Sequence, residues 1–262
     1  MGYETLSIDI NEGVCLLTLD RPEVHNAMNL TMFMELSAAA RELEANDDVK
    51  VIVLTGAGKS FSSGLDLGSF AGLEQLSALQ FYKMLKGFQS TFLAYEMMNK
   101  PVIAAVNGLA LGAGTEIILA CDIRFACPEA SFGLLEIKFG IIPDLGGCRR
   151  LSRLIGMGYA KELIYTGDTI RGEEAHRISM IEHLSPQDQV LAEAMKLARR
   201  LAEGPILGIA VAKQVINRAW GTDAETALEF EAIAQTLCLI SKDHKEAVSA
   251  FMEQRKPNYT GD

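Results

Sequence analysis

The sequence predicts a mixed α/β body followed by an all-helical C-terminal region. In the first half, short apolar runs rich in β-branched residues alternate with longer stretches of helical spacing. Two runs, "KVIVLTG" and "PVIAAVNG", share one pattern, an apolar strand that ends at a turn glycine, and Val51 and Val102 lie 102 − 51 = 51 residues apart. After about Pro186 the strand signal disappears. This pattern indicates a repeated strand–loop–helix unit and then a helical extension.

The individual elements follow from local patterns. "ETLSIDI" and "VCLLTLD" flank Asn11-Glu12-Gly13, which predicts a β-hairpin. "NLTMFMELSAAARELEAND" and "ALQFYKMLKGFQSTFLAYEMMN" have helical spacing, and Pro101 ends the second helix. Further strands are predicted for "DIRFAC", "ASFGLLEI" and "MIEHL". The C-terminal helices are "QDQVLAEAMKLARRLAEG", "ILGIAVAKQVINRAWG", "DAETALEFEAIAQTLCLIS" and "KDHKEAVSAFMEQR".

Composition limits the classes of function. The 262 residues are 49% hydrophobic and 22% charged, which is typical of a globular protein, and the net charge is −10. This acidity disfavours nucleic acid or an anionic membrane as the main partner. The absence of an apolar run of 18 residues and of a basic-then-apolar leader favours a chain without membrane attachment. Five scattered cysteines, never in C-x-x-C, predict reduced thiols and a cytoplasmic location.

The stretch "LTGAGKSFSSGLDL", residues 54–67, suggests a phosphate-binding loop but fails both tests for one. A Walker A motif requires glycine where this chain has Val53, and a dinucleotide fingerprint requires glycine where it has Phe61. The four histidines are too dispersed to predict a metal site, and no H-E-x-x-H or G-x-S-x-G occurs. Nucleotide binding, zinc chemistry and serine hydrolysis therefore lack a basis in the sequence.

Two glycine-containing loops at strand ends suggest a different chemistry. "VNGLALGAGTEIILACD" follows one strand and starts a helix, whose first N–H groups have no intrahelical partner. "SSGLD" follows another strand. Two such loops could each donate one N–H to a single oxygen, the geometry of an oxyanion hole. Two tight turns without a ligand are the structural alternative.

Two glutamates stand in apolar surroundings, where carboxylates are rare unless paired or functional. Glu116 lies in the first turn of the apolar helix "TEIILA", and Glu136 lies in "SFGLLEIKFGIIPD". A structural explanation exists for each: favourable placement at a helix N-terminus for Glu116, and an outward strand position for Glu136. Together with the two loops, the pair favours acid–base chemistry.

Nearly the whole chain resembles the enoyl-CoA hydratase/isomerase family, also called the crotonase superfamily. The resemblance rests on "RPEVHNAMN", "GKSFSSGLDL", "KPVIAAVNGLALGAGTEIILACDIRFA", "FGLLEIKFGIIPDLGGCRRLSRLIG" and "FMEQRKPNY". It implies an α/β fold, a crotonase-like spiral of repeated ββα units with a C-terminal helical trimerisation region. The implied division is a catalytic core over residues 1–195 and a helical oligomerisation region over 196–262.

The resemblance also implies the roles of single residues. The N–H groups of Leu65 and Ala113 would form the oxyanion hole, although the family more often has Ala and Gly there. Glu116 and Glu136 match the two acids of the hydratases. Asp144 departs from the hydratases, which often have glycine, and resembles the acid of dienoyl-CoA isomerases. Those isomerases have Asp where this chain has Glu116, so the set of acids is mixed.

Further positions are implied to bind an acyl-CoA substrate, and His25 could also approach the CoA phosphates. They are Val24, His25, Ala27, Ser63, Asp66, Leu67, Gly68, Leu109 and Gly112.

The implied activity is hydration of trans-2-enoyl-CoA to 3-hydroxyacyl-CoA. It would require no metal or redox cofactor, since coenzyme A is part of the substrate. Alternatives are an enoyl- or dienoyl-CoA isomerase that uses Glu136 or Asp144, an acyl-CoA thioester hydrolase, and a non-catalytic acyl-CoA-binding member. The resemblance further implies a homotrimer or homohexamer.

Overall fold

A computed structural model describes residues 2–261, and it has the predicted mixed α/β architecture. Within this range a six-stranded sheet forms the centre. In the order of their neighbours its strands are β1 (Leu6–Asn11), β2 (Val14–Leu19), β3 (Val51–Gly56), β5 (Val102–Val106), β7 (Ile123–Ala126) and β10 (His183–Leu184). β1 and β2 are antiparallel and form the predicted hairpin, whereas the other pairs are parallel. β3 and β5 are buried along their whole length, as expected for parallel strands covered on both faces.

A smaller sheet lies at the ends of the central strands. In the order of their neighbours its strands are β4 (Ser60–Ser62), β6 (Leu109–Leu111), β8 (Ser131–Gly133) and β9 (Thr169–Arg171). Strands β4, β6 and β8 each follow a strand of the central sheet along the chain and pair in parallel, whereas β9 is antiparallel to β8. The chain therefore repeatedly forms one strand of the central sheet and then one strand of the smaller sheet before its next helix. This repeat brings the ends of β4 and β6 together.

Helices cover the two sheets and extend beyond them. They are α1 (Leu30–Ala45), α2 (Ala78–Met97), α3 (Ala113–Ile118), α4 (Gly147–Thr166), α5 (Gly172–Arg177), α6 (Val190–Ala202), α7 (Ile206–Ala219), α8 (Ala224–Ile240) and α9 (Lys242–Met252). Polar caps begin several of them: Asn29 accepts from the N–H of Met32, and Ser77 and Gln80 form a capping box. The sequence patterns did not predict β4, β6, β9, α4 or α5.

The predicted strand "ASFGLLEI" is wrong in its second half. β8 ends at Gly133, and residues Glu136–Phe139 form a short 3₁₀ helix. The ladder stops because the neighbouring strands β6 and β9 are only three residues long. The N–H groups that follow then find acceptors within their own segment, from Lys138 to Leu135 and from Gly140 to Ile137. Glu136 therefore does not occupy an outward strand position, the structural alternative considered for it.

The C-terminal helices divide into a docked and a protruding part. α6 packs on β3 and β5 with one face of small residues, which include Ala194 and Ala198. The predicted division between residues 195 and 196 falls inside this helix, and the packing of α6 places it with the core. α7 is attached through Lys213, whose Nζ donates to Asp122 Oδ2 at 2.8 Å. α8 buries none of its side chains in the described part of the chain.

The close approach of the two sheet-end loops leads to a stability prediction. A Cβ added at Gly114 would lie 2.6 Å from the carbonyl O of Ser62 and 2.9 Å from its Cβ. Because backbone atoms on both sides have to move apart, we expect Gly114→Ala to lower the free energy of unfolding by about 1–3 kcal/mol in urea titrations. In the matched control Gly158→Ala the added Cβ meets nothing within 4 Å, so stability should stay equal or rise. Equal stability of both variants would contradict the predicted contact.

Candidate active site

The two strand-end loops predicted to share an oxygen meet directly. Leu65 forms a parallel bridge with Met28, and Gly64 before it has a φ of 94°. A Cβ on Gly64 would lie 2.7 Å from the carbonyl O of Leu111 and 3.5 Å from the amide N of Ala113. Glycine at position 64 is therefore required by both backbone conformation and space. Within residues 2–261 neither the N–H of Leu65 nor that of Ala113 donates to another residue, so both are available to a ligand oxygen.

Gly112 sets the direction of the second loop. Its N–H donates to the carbonyl O of Gly133 at 2.8 Å, and its φ of 49° and ψ of −122° belong to a conformation that favours glycine. A Cβ at this position would lie 3.2 Å from Oε1 of Glu136. The carboxyl group of Glu136 therefore lies beside the peptide that bears the N–H of Ala113.

Glu116 is buried and held by backbone. Its side chain is on α3 with a residue exposure of 1%, and its Oε1 accepts the N–H groups of Leu145 at 2.9 Å and Gly147 at 2.8 Å. Burial, reinforced by the negative charges of Glu136 and Asp144, raises the pKa of Glu116 to about 8, although the two N–H groups oppose this shift. The carboxyl group is thus fixed in position while its charge is disfavoured.

Glu136 and Asp144 complete a cluster of three carboxyl groups. In the described part of the chain, Oε2 of Glu136 is buried without a hydrogen-bond partner. Burial raises the pKa of Glu136, and the charge of Asp144 adds to the shift. Burial also raises the pKa of Asp144, which is half-buried. A carboxyl oxygen that is buried without a donor favours the protonated form of its group, or a ligand that donates a hydrogen bond to it.

The predicted substrate-binding positions before β4 lie on a loop that Asn26 organises. Asn26 is fully buried at a φ of 54°, and its Nδ2 donates to the carbonyl oxygens of Ala57 at 2.9 Å and Ser60 at 2.8 Å. Its Oδ1 accepts the N–H of Arg21 at 2.8 Å. Sequence reasoning missed this residue. Asparagine tolerates left-handed conformation and bonds to nearby backbone, which was the available signal.

The loop residues 24–27 contact the segment 60–66. The N–H of Ser63 donates to the carbonyl O of His25 at 2.9 Å, and His25 Nδ1 is 3.0 Å from Ser60 Oγ. The carbonyl O of Val24 accepts the N–H of Ala27 at 3.1 Å. These predicted positions therefore lie together.

The remaining predicted positions are divided between support and surface. Asp66 accepts from Arg21 Nη1 at 3.0 Å, and this hydrogen bond holds the pKa of Asp66 below its usual value, which points to a supporting ion pair. Leu67 is 64% exposed, and Gly68 is exposed beside it. Leu109 is on β6 and pairs with Ser60.

The described residues include neither a helix that could span a membrane nor a cluster that could hold a metal ion. No helix among the described residues is long and apolar enough to cross the bilayer core. Over the same residues, no group of three or more His, Cys, Asp or Glu side chains is arranged to hold a metal ion.

Comparisons with known proteins identify the family and the fold. The family described as enoyl-CoA hydratase/isomerase matches residues 9–262. A crotonyl-CoA hydratase of Syntrophomonas wolfei is 37% identical over 260 residues, 99% of either chain. A short-chain-enoyl-CoA hydratase of Clostridium acetobutylicum is 38% identical over 257 residues, which are 98% of this chain and 97% of the relative. The crystal structure of an enoyl-CoA hydratase from Bacillus anthracis is similar with a TM-score of 0.94 and 36% identity, covering 99% of this chain and all of that one.

The raised pKa of Glu116 predicts a pH dependence of stability. Between the ordinary carboxyl pKa of 4.5 and about 8, the folded chain binds more protons at this position than the unfolded chain. Glu116 therefore contributes a loss of stability as the pH rises through this window, with no further change above it. Glu116→Gln keeps an oxygen for the N–H groups of Leu145 and Gly147 but does not titrate. We expect its free energy of unfolding to rise relative to the unsubstituted chain from pH 5 to pH 9. A constant difference between the two proteins would show that Glu116 ionises normally.

Proposed function

The chain belongs to the enoyl-CoA hydratase/isomerase family, and from this membership we propose that it hydrates trans-2-enoyl-CoA thioesters to 3-hydroxyacyl-CoA. The observation that supports this most directly is a pair of carboxyl groups of raised pKa: Glu136 lies beside the peptide that bears the free N–H of Ala113, and its charge raises the pKa of Glu116. The relatives named crotonyl-CoA hydratase and short-chain-enoyl-CoA hydratase support short-chain enoyl groups as the substrate class.

The N–H groups of Leu65 and Ala113 activate the substrate in this proposal. When a thioester carbonyl accepts both N–H groups, these donors stabilise the negative charge that develops on its oxygen as water attacks the C2=C3 double bond. One such donor is typically worth about 3 kcal/mol of transition-state stabilisation. Because only backbone donates, Leu and Ala at these positions retain the function that a smaller residue would have.

The two glutamates move the protons. Glu116 takes a proton from water as the water oxygen bonds to C3, and the π electrons pass to the thioester oxygen as an enolate. The enolate then collapses as C2 takes a proton from Glu136. After product release, the proton on Glu116 returns to Glu136 through water, which restores the starting state.

The contacts of the two side chains support this division. Two N–H groups donate to Glu116, and such bonds favour the ionised form that a base requires. Glu136 Oε2 has no protein partner within residues 2–261, which suits a carboxyl group that bears a proton for the substrate. The pKa of about 8 for Glu116 includes the charge of Glu136, so the pKa of the base is lower when Glu136 carries its proton, as this division requires.

The proposed reaction adds water without a change of oxidation state, so it requires no redox partner. The oxyanion donors supply the charge stabilisation that a metal ion would otherwise provide. The absence of a cofactor thus stays a prediction, which activity in the presence of a chelator would support.

An isomerase is the second candidate, and Asp144 is the observation that favours it. A third carboxyl group of raised pKa beside the two glutamates could take a proton from one carbon while another returns it elsewhere. Product analysis separates the candidates. Loss of enoyl absorbance without free thiol supports hydration, and released thiol supports hydrolysis. A shifted double bond supports isomerisation, and binding without turnover supports a non-catalytic member.

We also propose that the chain forms homotrimers or homohexamers through its C-terminal helices. α8 and α9 expose large apolar side chains, which is unusual for a monomeric surface. They include Leu228 at 62%, Ile233 at 54%, Ile240 at 69% and Phe251 at 82% exposure. The cytoplasmic location stays a prediction from the cysteines.

The main kinetic prediction concerns the two acids. Glu116→Gln and Glu136→Gln should each lower kcat for crotonyl-CoA about 10²–10⁴-fold, because an amide neither accepts nor releases the required proton. Circular dichroism should show an unchanged fold. The control Glu162→Gln changes an exposed glutamate of α4 and should leave turnover unaffected. Turnover within a few-fold of normal in either active-site variant would disprove the two-acid mechanism.

The proposed assembly is tested by adding charge to α8. Leu228→Glu with Ile240→Glu places two carboxylates on its exposed apolar surface. We expect light scattering to show a trimeric or hexameric mass for the unsubstituted protein and a smaller mass for the variant. Glu231→Gln on the same helix should assemble normally. A monomeric unsubstituted protein would refute the proposal.

A further inference from the structure

One turn donates two N–H groups to Glu116, and helix α2 holds the carbonyl groups of the same turn. We call residues 144–147 the acid turn, because its N–H groups at Leu145 and Gly147 donate to Glu116. Gln89 and Glu96 of α2 are seven residues apart, which places them on the same face of the helix. Both connect to carbonyl groups of the acid turn, Gln89 directly and Glu96 through an arginine.

Glu96 reaches the acid turn through Arg150. Arg150 Nε donates to Glu96 Oε2 at 2.8 Å, and its Nη1 donates to the carbonyl O of Leu145 at 2.7 Å. Both side chains are more than 90% buried. Although burial works against it, the bonds and charges of Arg149 and Arg150 keep the pKa of Glu96 below its usual value, so the pair is ionised. One guanidinium therefore connects α2 to the peptide next to the Glu116 contact.

The other arginines near Glu96 do not extend to the turn. Arg149 donates to Glu96 Oε1 at 2.7 Å from an exposed position, and Arg153 is 3.8 Å from the same oxygen. In the described part of the chain, Arg150 is the member of the three that also donates to the acid turn. The guanidinium packs directly against the turn, because a Cβ at Gly146 would lie 2.2 Å from Arg150 Nη1.

Gln89 is a second, independent support. Its Nε2 donates to the carbonyl O of Asp144 at 2.7 Å, and its Oε1 accepts from Lys86 Nζ at 3.0 Å. The lysine fixes which end of the amide faces the turn. Two successive carbonyl groups of the acid turn, those of Asp144 and Leu145, are thus held from α2, while N–H groups of the same turn face Glu116.

We propose that Gln89, Glu96 and Arg150 are positioning residues, which hold the acid turn so that its two N–H groups remain on the carboxyl group of Glu116. In the described structure none of the three forms a hydrogen bond or ion pair with Glu116. Gln89 acts on the N–H of Leu145 directly, because that N–H shares one planar peptide with the carbonyl of Asp144. Arg150 holds the next peptide, between Leu145 and Gly146, which connects the two peptides whose N–H groups donate to Glu116. The inference rests on the proposed function for its kinetic consequence only, since the geometry of Glu116 is a property of the free protein.

The test compares two variants that perturb the turn differently. Glu96→Gln with Arg150→Met removes the buried charges together, so that neither is left unpaired in the core. Gln89→Met removes the other support from a partly exposed site and should fold normally. For the double variant we expect kcat on crotonyl-CoA, per folded molecule, to fall at least about tenfold with KM within about twofold. Gln89→Met should show a smaller loss of the same kind.

The pH profile distinguishes positioning from general weakening of the fold. Loss of the N–H bonds raises the pKa of Glu116, so the rise of kcat/KM with pH should move upward by about one unit. The charged or titratable groups that face Glu116 are Glu136 from the 3₁₀ helix, Asp144 from the turn and Cys148 from α4, and none of them is changed. The control Asp122→Asn with Lys213→Met removes another buried pair, whose lysine also donates to backbone carbonyls but not to the acid turn. It should lower stability without moving the profile.

An activity-free measurement separates this inference from the proposed function. The effect of Glu116→Gln on the free energy of unfolding is measured from pH 5 to pH 9 in the unsubstituted background and in the Glu96→Gln/Arg150→Met background. If the Glu116→Gln effect on the free energy of unfolding keeps rising to higher pH in the second background, the result supports positioning, even if no enoyl-CoA is hydrated. Identical windows, with kcat per folded molecule unchanged in both turn variants, would overturn the proposal.

Discussion

The proposed active site depends on the attachment of one buried carboxyl group to one turn. Glu116 is removed from water, and its hydrogen bonds come from the N–H groups of Leu145, before α4, and of Gly147, the first residue of α4. Backbone donors cost no side-chain entropy and hold the carboxyl group in one orientation. They do not neutralise it, so its pKa remains raised. A group that is fixed but poorly stabilised as an anion is suited to exchange protons near neutral pH.

The two-sheet architecture explains why the two proposed oxyanion donors lie close to each other. β4 and β6 are neighbours in the smaller sheet, so the segments after them come together although they are about fifty residues apart in sequence. Gly64 and Gly114 permit backbone to approach backbone at distances that a side chain would prevent. The short strands have few residues with which to fix their register. The positions of the N–H groups of Leu65 and Ala113 therefore depend on the close backbone contacts of Gly64 and Gly114.

Local patterns predicted the central strands, the long helices other than α4, and Glu116 at a glycine-rich helix start, because each of these has a signal within a few residues. Glu136 was identified as a candidate, but the strand predicted for it was wrong. The length of β8 depends on β6 and β9, which are distant in sequence. Asn26 and Arg150 act through partners that only the fold brings near, and their side chains have no periodic pattern. The glycine pair before "CRRL" was the available signal for the acid turn.

The third carboxyl group changes how the other two titrate. Asp144 has no contact with Glu116 through a hydrogen bond in the described structure, yet its charge raises the pKa of both glutamates. Interacting carboxyl groups lose their protons in steps that belong to the cluster rather than to single residues. One base and one acid coexist only when the cluster holds an intermediate number of protons. The charge of Asp144 moves the pH range of this intermediate protonation upward, and the N–H groups of the acid turn move it downward. In the proposed mechanism, the working pH of the site is therefore set by the balance between the charge of Asp144 and the N–H groups of the acid turn.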